Sequence, residues 1–163
     1  MGRKITIASI SAGILLLIAA AVFMNVYNTA MAQKKDGHTE AIQRAEQETE
    51  LKKAESAETF NGLEQYIVIT GSDDSGKPVY VFVPSDKKKK PVLKLVSDGI
   101  SEKEALEAVR SEQNPQKLIS VQLGMEGSVP VWEVKYIDDQ NRYTYDLVQF
   151  TDGEIRKHIA IRK

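Results

Sequence analysis

The chain has 163 residues, with 22 Lys and Arg against 23 Asp and Glu and a formal net charge of -1. That balance gives no strong pull toward nucleic acid, and the absence of cysteine excludes disulfides, lipoprotein attachment, thiol catalysis and cysteine-based zinc sites. A domain without such staples must be held by packing alone, so a hydrophobic core is expected.

The N-terminal segment differs in composition from everything after it. Ile5 to Tyr27 is 23 residues without a charge, and the polar residues Thr6, Ser9, Ser11 and Asn25 sit near its ends. The middle, Ala12 to Met24, is apolar all round, which suits lipid on every side rather than one buried face. At 1.5 Å per residue, such a helix spans a hydrocarbon core of roughly 30 Å. Arg3 and Lys4 with the small-x-small run Ala30-Met31-Ala32 also fit a cleaved signal peptide, but the apolar run exceeds the roughly 7–15 residues usual there. The sequence therefore predicts an uncleaved anchor over 1–33 in a cell membrane, single-pass, with a short cytoplasmic leader and the remainder extracellular. Lys34, Lys35 and Arg44 on the far side weaken the charge signal for that orientation. Apart from Ala19–Ala21, the span has no small-residue face or charge with which to specify a partner.

Two further units are expected, 34–97 and 98–163, because turn signals repeat along the chain. Asn61-Gly62 matches Glu126-Gly127, and Asp73-Asp74-Ser75-Gly76 matches Asp138-Asp139-Gln140-Asn141, both at an offset of 65. Ser85-Asp86 matches Thr151-Asp152, and Asp36-Gly37 before a first helix matches Asp98-Gly99 before a second. The first helix is expected over Thr39–Ala54, with an Ala41, Ile42, Ala45 stripe and solvated Glu46, Glu48 and Glu50. The second opens on the capping box Ser101-Glu102-Lys103-Glu104, carries Ala105, Leu106 and Val109 inward, and stops before Pro115.

After each helix come four β-rich runs. They fall at about 55–60, 66–71, 79–83 and 92–96, then at about 118–125, 131–137, 142–150 and 154–161. The fold class is α+β: a helix on a four-stranded antiparallel sheet, twice. Trp132, Val134 and Tyr136 share the core face of one strand, with Val131, Glu133 and Lys135 opposite. A unit of some 60 residues buries little surface alone, so the two are expected to pack together.

The residues Ala30-Met31-Ala32-Gln33-Lys34 with Gly37-His38, Val79-Tyr80-Val81-Phe82-Val83-Pro84 with the lysines after it, Asp98-Gly99-Ile100-Ser101-Glu102 and Val131-Trp132-Glu133-Val134 resemble the YpmB/TseB family of Gram-positive envelope proteins. The likeness runs over nearly the whole chain. It implies two tandem cystatin-like, PepSY-like units in the extracellular part. It also implies a regulator of cell-wall elongation that associates with a penicillin-binding transpeptidase of the elongation machinery. The resemblance brings no binding residues with it.

The residues themselves suggest no catalytic, metal or cofactor site. Asp73-Asp74 and Asp138-Asp139 stand beside Gly or Asn at hairpin turns, where Asp bonds nearby backbone, and no EF-hand spacing follows either pair. His38 and His158 lie 120 positions apart without a ligand array and read as surface histidines. No nucleophile signature or phosphate loop is present. The candidate partner-binding residues are Lys87, Lys88, Lys89 and Lys90, which suit an anionic wall polymer or headgroups but also an ordinary solvated turn, and Tyr143 and Tyr145, which share a strand face. Trp132 reads as core rather than contact. Two function classes follow: a non-enzymatic regulator binding a membrane-bound wall-synthesis enzyme, or an inhibitor or folding aid for a secreted peptidase. No cofactor, nucleic acid or small-molecule substrate is expected.

Overall fold

The computed structural model describes the backbone of residues 2–162 and the side chains of 16–27 and 37–162. By internal contacts the chain divides into two units, Met1–Thr39 and Glu40–Lys163.

From Gly2 on, the backbone of the first unit is helical, part of α1 (Gly2–Glu48). Of the expected span Ile5–Tyr27, the side chains of 5–15 lie outside the described residues, as do those of Ala30, Met31 and Ala32. Among the described residues no helix is long and apolar enough to cross a membrane. Those of Leu16–Tyr27 that are described project large apolar groups outward, Leu16, Leu17 and Phe23 each being more than 70% exposed at 72, 72 and 73%.

The second unit contains two four-stranded antiparallel sheets, each a meander in chain order. The first is β1 (Leu51–Asn61), β2 (Gln65–Asp73), β3 (Pro78–Pro84) and β4 (Val92–Leu95); a 3-10 turn, Val96–Asp98, and α2 (Glu102–Glu112) lead to the second, β5 (Pro115–Glu126), β6 (Val129–Asp138), β7 (Tyr143–Gln149) and β8 (Ile155–Ile161). The duplication extends to details that the matched turns alone do not reveal. β1 carries register shifts at Leu51/Lys53 and Ala54/Ser56, and β5 carries them at Pro115/Lys117 and Leu118/Ser120. Bulges bend and twist a strand, so both sheets receive the same curvature device at the same place.

The expected first helix needs correction at both ends. It does not begin after Asp36-Gly37, because α1 runs through Gly37, and it ends at Glu48 rather than Ala54. Thr49 closes it: its hydroxyl donates to the Ala45 carbonyl at 2.7 Å and accepts from the Leu51 N–H at 3.2 Å. Leu51–Ala54 then joins β1, since Leu51 is buried opposite Asp73 and packs with Ala45 and Ile69. Helix propensity in Lys52, Lys53 and Ala54 loses to that sheet pairing. Glu104 caps α2 as expected, donor and acceptor both satisfied.

The two faces of β2 and β3 bury against different partners. Ile69, Val79, Val81 and Val83 pack with Ala41 and Ala45 of α1. Tyr66, Val68 and Phe82 point the other way, into a core shared with Ala105 and Val109 of α2 and with Trp132, Val134, Tyr136, Val148 and Phe150 of the second sheet. The expected packing of the two repeats is therefore a common core. Phe60 lies so close over Gly124 that any Cβ there would run into its ring, and the Gln122 amide donates to the Thr59 carbonyl at 2.9 Å.

Candidate binding surfaces

Both Asp pairs serve turns. The Asp73 carboxylate accepts from the backbone N–H of Ser75 and Lys77, each at 2.8 Å, and Asp138 accepts from those of Gln140 and Arg142 at 3.0 and 2.8 Å. Each turn then needs a left-handed residue, supplied by Gly76 at φ 77° and Asn141 at φ 59°, residue types that tolerate it. Asp138 differs in being buried at 7% exposure and in accepting from the Arg142 guanidinium at 2.6 Å. Burial opposes its ionisation, but the Arg142 N–H, the guanidinium and the Gln140 N–H outweigh it and hold the carboxyl below its usual range.

The lysine run occupies the turn after β3, and half of it is engaged. Lys87 pairs with Glu40 and Lys89 with Glu64, while Arg44 donates to the Lys89 carbonyl. These pairs are exposed, so each contributes little to stability. Lys88 and Lys90 are exposed and carry no ion pair among the described residues.

Tyr143 and Tyr145 lie on the second sheet's outer face. α2 and the shared core cover the face bearing Trp132, Val134 and Tyr136; cross-strand pairing places Val131, Glu133, Lys135, Tyr145 and Ile159 on the other. That face is covered in part, burying Val131 and Leu147, and is open toward the Tyr143 end. Tyr143 is 43% exposed, Ile161 51% and Ile159 38%. The Lys135 ammonium sits 5.4 Å from the centre of the Tyr145 ring, a cation–π distance, and pairs with Glu133 at 2.8 Å. The β1–β2 hairpin reaches this face: a shallow pocket of about 200 Å³ is lined by Phe60, Gly62 and Leu63 together with Glu133, Tyr145 and Ile159.

Sequence reasoning missed a buried polar group. Asp146 is fully buried; it accepts from the Tyr136 hydroxyl at 2.7 Å and lies 2.6 Å from His158 Nδ1. Burial, and then Asp146, push the Tyr136 phenol far above its usual range. His158 is thus not a bare surface residue but ties the edge strand β8 to the core. The signal was in the sequence as strand parity, Tyr136, Asp146 and His158 each falling on an inward position, but pairing was needed to read it. Among the described residues no group of three or more His, Asp or Glu is placed to hold a metal ion. His38 lies on α1, partly exposed.

Comparison with known proteins matches this architecture. Residues 40–84 match the family described as cell wall elongation regulator TseB-like domain, and residues 99–158 match the peptidase propeptide and YPEB domain, PepSY. A protein of Bacillus subtilis (strain 168), "Probable cell wall elongation regulator TseB", is 40% identical over 160 residues, covering 98% of this chain and 99% of its own. A solved structure, "YpmB protein from Bacillus subtilis", superposes with a TM-score of 0.74 at 41% identity, covering 76% of this chain and 97% of that one. With both repeats matched and the likeness running end to end, the chain belongs to the TseB-like family of cell wall elongation regulators.

Proposed function

We propose that the chain is a membrane-anchored, non-enzymatic regulator that binds a penicillin-binding transpeptidase of the wall-elongation machinery through its extracellular part. The units 34–97 and 98–163 are the binding body, and 1–33 is the leader and anchor, with the N-terminus cytoplasmic. The observation that carries this reading is the near full-length identity to a relative named as a regulator of wall elongation. The uncharged run Ile5–Tyr27 supports the anchor, and tethering raises the effective concentration of the binding body near a membrane-bound enzyme. The partner faces are the outer face of the second sheet, with Tyr143 and Tyr145, and the lysine turn Lys87–Lys90.

Replacing Ile5–Tyr27 with an unrelated single-span anchor of the same orientation tests the assignment. The hybrid is expected to keep wall-growth activity and co-purification with the transpeptidase. Loss of both at normal membrane level would place recognition in the helix instead.

The match of residues 99–158 to a domain described as a peptidase propeptide favours a second reading, an inhibitor or folding aid of a secreted or membrane peptidase. Proximity labelling in the native cell separates the two by returning wall synthases or peptidases as neighbours.

A further inference from the structure

Where the two sheets meet, a cleft of about 190 Å³ is lined by Glu58, Val68, Thr70, Tyr80, Glu102, Val121, Gln122, Leu123 and Trp132. Its volume is well below the roughly 300–1,000 Å³ of pockets that enclose drug-sized molecules, so it suits one long side chain. Tyr80 and Trp132 meet edge to face there, ring centres 6.3 Å apart, and Tyr80 is braced by Phe150 at 5.9 Å. The indole N–H is committed to the Ile100 carbonyl at 3.0 Å, which fixes the ring.

Glu58 of β1 and Glu102 of α2 contribute the cleft's two carboxylates. Among the described residues neither has a hydrogen-bond or ion-pair partner, and no basic residue lines the cleft. Burial and the Glu102 charge raise the Tyr80 phenol, which agrees with a carboxylate facing a partly dry aromatic site.

We infer that this cleft binds a lysine or arginine side chain presented by another polypeptide. The half-buried Tyr80 ring and the rim of Trp132 give the cleft an apolar wall for a side-chain stem, and two unpaired carboxylates supply charge-assisted acceptors. β1 and β5, which border the cleft, are edge strands of their sheets, so main-chain groups stand beside it for an extended segment. The site is built from both repeats, and neither could form it alone. This inference concerns local chemistry and holds whichever protein partner the preceding section's tests return.

Trp132 is the sole tryptophan of the chain, so its fluorescence reports on the cleft directly. The full-length protein in lipid nanodiscs would be titrated with acetyl-Ala-Lys-Ala-amide, with the same peptide acetylated on the lysine Nε, and with n-butylammonium. The lysine peptide is expected to give a saturable change that the acetylated peptide does not. The double substitution Glu58→Gln, Glu102→Gln should weaken it about tenfold, the scale of two exposed charge contacts. Both residues are exposed, and circular dichroism checks that the variant folds; Glu58→Gln alone, outside any helix cap, gives a second measurement with a smaller loss expected. The proposal is overturned by no saturable change, by equal binding of the acetylated peptide, or by unchanged binding in the folded variants. Equally tight binding of n-butylammonium would make the ligand a free amine and overturn the polypeptide assignment.

Discussion

The first and second sheets are built alike and used differently. Both are four-stranded meanders with two register shifts in the opening strand and an Asp-anchored turn between the second and third strands. Yet β2 and β3 of the first sheet bury apolar side chains on both faces, against α1 and against the second repeat. The second sheet is covered fully on one face and only in part on the other, which buries Val131 and Leu147 but leaves Tyr143, Ile159 and Ile161 exposed. Duplication copies curvature and turns. Which copy keeps an exposed apolar surface is set by what each face packs against.

The largest expected effect probes the shared core. Trp132 is 5% exposed and touches residues of both repeats, so Trp132→Ala should cost about 3–5 kcal/mol in chemical denaturation. A loss near 0.5 kcal/mol, the scale of a surface change, would mean that the two repeats do not share a core.

The next prediction separates the repeats by their polar interiors, since the buried Asp146 group belongs to the second. His158→Ala removes one of the carboxylate's two partners and should cost about 1–3 kcal/mol, read from the denaturation midpoint. Unchanged stability would mean that solvent already reaches Asp146.

A pH effect follows from the same group. Tyr136 has a folded-state pKa above its unfolded value, so its contribution is complete below the unfolded value near pH 10 and is lost as pH rises above it. Tyr66 and Tyr80 are raised in the same direction by burial. Thermal melts should therefore fall steeply above about pH 10, and Tyr136→Phe should flatten that limb. An unchanged alkaline slope in the variant would assign the effect elsewhere.

The two Asp turns offer a matched comparison. Asp138→Ala should destabilise more than Asp73→Ala, because Asp138 also holds the Arg142 guanidinium and is buried. Equal losses in parallel melts would reduce both to their shared backbone contacts. Smallest of all should be Tyr145→Ser on the outer face: within about 0.5 kcal/mol in stability, with binding to the transpeptidase weakened in co-purification. A large loss of stability would show the outer face to be structural.

Local chemistry was readable wherever it was complete within a few residues. The Ser101–Glu104 capping box, the stop before Pro115, both Asp turns and the inward set Trp132, Val134 and Tyr136 all follow from spacing alone, because the hydrogen bonds and parity that fix them are local. The capture of Leu51–Ala54 by β1 was not, since its reason is Leu51 packing on residues some twenty positions away. Likewise the lysine turn was visible as charge, but not its pairing with Glu40 and Glu64. The Asp146 group and the Glu58–Tyr80–Glu102–Trp132 cleft draw residues from separate strands and from both repeats. No periodicity links such positions; only the pairing of the sheets and the burial of one against the other brought them together.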